Sequence, residues 1–263
     1  MAKDPANLTL SPSKVDTFNG CRRLFRYRYI DPPFATPDNK YFLIGNIAHK
    51  VLEDLHKKQM NNGNMDWKKD IRTFFKQAVR TYNAFAKVKS GLIQRSDLFA
   101  IKGMMKNYLV YLAKLGEAPN VAQVEKLAKI VIGDVVVWLK ADRIDRLSDG
   151  VYKVIDYKSG KPASKKAELT SVQIPSYGIW LHQAFDDVEE IFGEYLYLKH
   201  VNTKTGVHTH AITEELMDQT RDTYRRVDRE LKKGCDFVQN FKYKYCYFCD
   251  FKVHCLEDDN DGL

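Results

Sequence analysis

Two carboxylates and a lysine stand in this chain in an order suited to phosphodiester chemistry. Ala141-Asp142-Arg143-Ile144-Asp145 is followed, after a turn at Asp149-Gly150, by Val154-Ile155-Asp156-Tyr157-Lys158. Both runs read as strands of one hairpin, the second rich in β-formers and therefore buried. The period of two puts Asp156 and Lys158 on one face, and the hairpin brings Asp142 beside them. Two carboxylates can hold a hard Mg²⁺ or Mn²⁺ through oxygen, while the ammonium positions or deprotonates a water. Taken alone, D-x-K more often marks a solvated hairpin with surface ion pairs, so other residues must decide.

Upstream, Gly45 to Glu53 is a helical pattern whose apolar stripe is Ile44, Ala48, Val51 and Leu55. Gly45, His49, Glu53 and His56 run along the adjacent line. Glu53 can pair with Lys57 one turn on. Downstream, Gln173 and Tyr177 share a face of a second helix, with Pro175 in its first turn, where proline is tolerated.

The cysteines form a separate pattern. Cys246, Cys249 and Cys255 are spaced C-x2-C-x5-C, and Cys21 lies far upstream. Four thiols suit Zn²⁺ or an iron–sulfur cluster, and spacing does not choose between them. The Tyr/Phe/Lys-rich surroundings argue against a redox C-x-x-C. An odd set of five cysteines with no signal peptide ahead of it argues against disulfides. Cys235 falls outside the pattern and reads as a bystander. Joining Cys21 to the trio would close a loop around nearly the whole chain, so a metal there acts as a clasp whose binding is partly folding free energy.

In this order, His49, Asp142, Asp156-x-Lys158 and Gln173-x-x-x-Tyr177 resemble the PD-(D/E)xK nuclease superfamily, in the branch of RecB-type exonucleases and related CRISPR-associated nucleases. The resemblance runs from Leu8 to Cys255. The chain departs from the pattern at Ala141, where a proline is usual, and at Leu139, where a glycine often stands. The resemblance implies an α/β fold, a restriction-endonuclease-like core with a central mixed sheet flanked by helices, an N-terminal helical cap and a metal-cluster clasp joining the termini. It implies a divalent metal, Mg²⁺ or Mn²⁺, on His49, Asp142, Asp156 and the backbone carbonyl of Tyr157, with Glu53 orienting His49. Lys158 would activate the attacking water, Gln173 would contact that water or the phosphate, and Tyr177 the DNA backbone. It further implies a [4Fe–4S] cluster on Cys21, Cys246, Cys249 and Cys255, with zinc as the lesser alternative. The activity implied is a DNA exonuclease on single strands or ends, in recombination, repair or CRISPR adaptation, with proteins of those processes as partners. The rival is a non-catalytic iron–sulfur DNA-binding module on the same fold.

The elements that must position these residues follow from the rest of the chain. At 263 residues with 44% hydrophobic content it can bury a sizeable core as a single domain, 1–263. Within it, about 44–118 is a helical elaboration, about 119–212 the α/β core, and 21 with 246–255 the cluster region. Ser11-Pro12 caps a helix expected to run to about Tyr29; three helical patterns follow to Leu115; a three-stranded meander spans Val121–Lys158; further strands fall at 188–200 and 207–212; and Thr213 caps a helix to about Lys233. No apolar run is long enough for a membrane span, so a cytoplasmic, reducing compartment is expected, a phage protein in its host included. The absence of G-x-x-x-x-G-K-[ST] leaves no means of powering unwinding.

Forty-two Lys and Arg against 34 Asp and Glu leave a net charge of +8, suited to a polyanionic partner. Basic and aromatic residues interleave over Arg22–Tyr29 and Phe241–Tyr245. These rings either stack bases of a single strand or pack around the cluster, and the sequence leaves both open.

Overall fold

The computed structural model describes residues 3–32, 40–63, 65–84, 93–116, 118–240 and 246–260. Ser11 caps helix α1 (Pro12–Gly20), its hydroxyl accepting the Lys14 N–H at 3.4 Å, with Pro12 in the first turn. The single helix expected to about Tyr29 is broken at Cys21, which is extended (φ −155°, ψ 114°). The chain restarts as α2 (Arg22–Phe25) and runs on into a π-helical turn, Arg26–Ile30. The Arg23 N–H, free of the first helix, is taken by the Val238 carbonyl at 3.2 Å. The break therefore ties the N-terminal region to the segment leading into the C-terminal cysteines.

The helical block is α3 (Lys40–Asn62), α4 (Trp67–Ala84) and α5 (Arg95–Leu115). The expected stripe of α3 is buried in full, and it starts one turn earlier than the sequence pattern suggests. Val51, Leu52 and Leu55 are completely buried, each worth roughly 1.5–3 kcal/mol relative to exposure.

Five strands form one mixed sheet in the order β1 (Val121–Ile132), β2 (Val135–Ser148), β3 (Val151–Lys158), β4 (Glu190–Tyr197), β5 (Val207–Ala211). β1, β2 and β3 are the expected antiparallel meander; β3 and β4 are parallel, and β5 returns antiparallel. A parallel pair needs a crossover, supplied by α6 (Lys165–Leu169) and α7 (Gln173–Ala184).

Alternation along β3 divides the core. Ile155 and Tyr157 pack with α3, α4 and α5, whereas Tyr152 and Val154 pack on the opposite face with α1 and α7. Gly193 on β4 lets α7 sit directly on the sheet, because a Cβ there would meet Ile174 at 2.0 Å. Thr213 caps α8 (Glu214–Lys233), with Glu214 and Glu215 in the first turn and Lys232 and Lys233 in the last, as the macrodipole favours. Its outer arginines are largely paired, Arg225 with Asp222 at 2.9 Å and Arg226 with Glu230 at 2.9 Å. The chain ends in a short turn, Cys246–Phe248, and α9 (Lys252–Asn260), and Phe251 packs with Leu24 and Tyr27 of the N-terminal region. Among the described residues no helix is long and apolar enough to cross a membrane.

Candidate active site

The pleat of β2 and β3 sets the site. Asp142 and Asp156 fall on the sheet face that carries α7, and the Asp142 Oδ2 accepts the backbone N–H of Tyr157 at 2.8 Å, locking the two strand ends together. Lys158 lies two residues beyond Asp156 on the same face, its Nζ 2.6 Å from Asp156 Oδ2. That oxygen is buried and has no aligned hydrogen bond.

α3 delivers His49 from the helical block. Its Nδ1 is 3.2 Å from Asp142 Oδ1. Gly45, one turn earlier, allows α3 to approach the chain just past Lys158; a Cβ there would press on Ser159 Oγ at 3.2 Å. The glycine of the Gly-x-x-x-His spacing thus sets the distance between the helix and the end of the β2–β3 hairpin. Glu53, expected to orient His49, does something else: it pairs with Lys50 at 3.1 Å and Lys57 at 2.5 Å.

A carboxylate not expected from sequence completes the group. Glu125 on β1 stands across from Asp142 in the strand register and has an unusual positive φ of 50°. His49, Glu125 and Asp142 bring one ligand atom each within 4.8 Å of one another. Asp156 is not in that tight triplet; Lys158 and Gln173 hold it beside the other three. No local motif marks Glu125, since only the β1–β2 register carries it to Asp142.

α7 supplies the remaining contacts. The Gln173 Nε2 donates to Asp156 Oδ1 at 2.5 Å and to the Tyr177 hydroxyl at 3.2 Å, while Lys158 donates to Gln173 Oε1 at 3.2 Å. Tyr177, expected to face a DNA backbone, is buried, and its hydroxyl donates to the Lys140 carbonyl at 2.9 Å. It braces Gln173 against β2. The start of α7 is held by Asp16 of α1, which accepts the Ser171 hydroxyl at 2.6 Å and the Val172 N–H at 3.1 Å. A carboxylate there suits the positive end of the helix.

The electrostatics describe a cluster in which three carboxylates, Asp142, Asp156 and Glu125, are opposed by His49, by Lys158 on Asp156 and by Lys140 on Glu125. Burial alone would lower the His49 pKa, yet Asp142, Asp156 and Glu125 outweigh it and push it up to about 9. Burial raises Asp156 and Glu125, with repulsion from Asp142 adding to each. Three crowded carboxylates and one imidazole are the donor set of a hard or borderline divalent cation, and the unaligned Asp156 oxygen is an acceptor such an ion would satisfy.

Behind the site lies a buried polar network. Arg143, 1% exposed, projects to the face opposite Asp142 and pairs with Asp145, both nitrogen–oxygen distances being 3.0 Å. Its NH1 also reaches the hydroxyls of Tyr108 at 2.5 Å and Tyr157 at 2.8 Å, and His56 at 3.0 Å. One buried guanidinium therefore links β2 and β3 to α3 and α5.

The four patterned cysteines also meet. Cys21, Cys246, Cys249 and Cys255 line a single cavity of about 120 Å³, walled by Leu24, Tyr27 and Phe251. All are free thiols. Cys235 lies apart against the main core. Tyr27 is buried, its ring 5.6 Å from Phe251 and 5.1 Å from His254. Of the two ways of using the ring, the structure takes the packing one. Arg22 is paired with Glu230 and Arg28 with Asp250 at 3.7 Å, so these cations are already engaged. Phe241–Tyr245 lie outside the described residues.

The fold and the site together define a nuclease of one superfamily. The model of the PD-(D/E)XK nuclease superfamily matches residues 9–256, and the chain belongs to that family. In structure it is similar to a candidate exonuclease from Eubacterium rectale, with a TM-score of 0.53 at 11% identity, over 94% of this chain and 87% of that one. It also aligns with SSO0001 at a TM-score of 0.36 and 16% identity, over 81% of this chain and 84% of that one. No curated protein matches it.

Proposed function

We propose that this chain is a divalent-metal-dependent deoxyribonuclease of the RecB-like type, acting as an exonuclease on single strands or strand ends. The observation that carries the reading is the meeting of His49, Asp142, Asp156 and Lys158 from one helix and two strands at a single point. A Mg²⁺ or Mn²⁺ held by His49, Asp142, Glu125 and Asp156, with the Tyr157 carbonyl alongside, would supply charge to stabilise the phosphate as its bond to the leaving oxygen breaks. Lys158 holds its ammonium protons toward the position of the attacking water or a phosphate oxygen. Gln173 fixes both Lys158 and Asp156, and Tyr177 fixes Gln173, so the side chains are oriented before substrate arrives.

The clustered thiols support a [4Fe–4S] cofactor as the clasp between α2 and α9. The apolar walls of the cavity and the one-plus-three arrangement of the cysteines support the cluster, with zinc as the lesser alternative. Free thiols of this kind belong in a reducing compartment such as the cytoplasm. The chain would act alone or with the proteins of recombination, repair or CRISPR adaptation.

The test is digestion of end-labelled single- and double-stranded DNA with Mg²⁺, with Mn²⁺ and with EDTA, beside Asp156→Ala and Lys158→Ala. Metal-dependent release of short products from ends, lost in both variants while each still folds by circular dichroism, is the expected result. If the wild type binds DNA but cuts none under any condition, the non-catalytic iron–sulfur module replaces this reading.

A further inference from the structure

The rings of Arg22–Tyr29, one of the two places where stacking on bases stood open, are buried or packed, yet other large aromatic side chains are exposed at the starts of α3 and α5. Phe42 is 63% exposed and Tyr41 68%, both in the first turn of α3, and Phe99 is 58% exposed in the first turns of α5. Exposed rings of this size mark an interaction surface. The starts of the two helices are joined by Lys40 and Asp97 at 3.5 Å. Cations accompany the rings: Lys40 lies 5.6 Å from Tyr41, and Arg95 and Lys102 each lie 5.7 Å from Phe99.

The position of Phe42 relative to the site follows from helix geometry. It precedes His49 by seven residues, which returns it to nearly the same face after about 10 Å of rise. Gly45 lies between them and touches Ser159, the residue after Lys158. The line Phe42, Gly45, His49 therefore runs from an exposed ring to the metal-binding group along one side of α3.

We propose that Phe42, assisted by Tyr41 and Phe99, is a base-stacking platform for single-stranded DNA entering the candidate active site. The inference rests on the nuclease reading for its substrate. Charge complementarity selects the occupant: with Lys40 already paired to Asp97, a polyanion with exposed π-faces satisfies Arg95 and Lys102 beside Phe99 together with the rings, whereas an apolar protein face would satisfy neither cation. A duplex hides its base faces and cannot use the rings, so the platform discriminates between strand states without reading sequence.

The experiment measures binding of a short single strand and of the matching duplex to the full chain in EDTA, where nothing is cut. The single strand carries 2-aminopurine, whose fluorescence is quenched by stacking. Phe42→Ala should weaken single-strand binding about 5- to 150-fold, the range of base–aromatic stacking, and abolish the quench. Phe42→Trp should restore both, duplex affinity should not change, and the melting temperature of each variant should match wild type because the ring is exposed. An unchanged single-strand affinity in Phe42→Ala, or equal losses for single strand and duplex, overturns the platform. Cleavage by the wild type with Mn²⁺ is measured alongside. Binding with stacking but no cleavage sinks the nuclease reading and leaves the platform standing; cleavage without an effect of Phe42→Ala does the reverse.

Discussion

Replacing Arg143 by Met should destabilise the chain by about 3–5 kcal/mol, the cost of leaving one partner of a buried ion pair uncompensated. The geometry places this case within that range. Arg143 is 1% exposed and Asp145 3%, so water cannot take over the lost contacts. The other cation near Asp145, Lys153, is already engaged by Glu194 at 3.4 Å. Three further acceptors lose a donor, although His56 and Tyr108 keep each other at 2.7 Å. Against a total stability of about 5–15 kcal/mol, the loss would lower the melting temperature by roughly 6–20 °C. Urea denaturation followed by circular dichroism measures it as a lower midpoint at unchanged m-value. The double variant Arg143→Met/Asp145→Leu removes both charges and should regain about 2 kcal/mol or more, since replacing a whole buried pair with apolar side chains is often neutral. A loss below about 1 kcal/mol in the single variant, or a double variant no more stable than the single, would refute the reasoning.

Cys21→Ser, Cys246→Ser, Cys249→Ser and Cys255→Ser should each give protein with less iron, paler colour and a lower melting temperature, while Cys235→Ser keeps all three; wild type free of iron after anaerobic purification would end the cluster assignment. Glu125→Gln should weaken Mn²⁺ binding in calorimetry by more than the roughly 10- to 100-fold typical of an outer-shell partner, and an unchanged affinity would place Glu125 outside the metal's coordination. Burial first, and Arg143 second, hold the His56 pKa well below 6.5, so the unfolded chain binds the extra proton as pH falls. Stability should therefore drop through that point, by about 1 kcal/mol between pH 7 and pH 5.5. His56→Gln should flatten that part of the curve, and an identical slope in the variant would show that His56 is not its source.

The sequence made most of the site legible because its parts sit on regular elements. Asp142, Asp156 and Lys158 follow from strand alternation, His49 from its place beside a helical stripe, and Gln173 with Tyr177 from i, i+4 spacing. The hairpin turn after Ile132 fixes the register that brings Glu125 to Asp142, but Glu125 belongs to no motif and so gave no sign of a role. Asp16 was missed for a different reason: it caps a helix more than 150 residues further along the chain. The helix expected through Tyr29 broke at Cys21 because a tertiary contact, the Arg23 N–H on Val238, outcompeted local propensity. The direction of the aromatic rings over Arg22–Tyr29 could not be read at all, since helical spacing alone does not say which side a C-terminal segment will cover.

The contact between α2 and α9 has a consequence for how the chain is made. Cys21 and Leu24 leave the ribosome more than two hundred residues ahead of Cys246 and Phe251. Their partners do not exist until synthesis of this region is nearly complete. At translation speeds of about 5–20 residues per second, the helical block and the sheet have on the order of ten seconds or more to form before this last contact can close. A product stopped early would thus hold its β2–β3 hairpin and still lack the closing contact, leaving Leu24 and Tyr27 without Phe251.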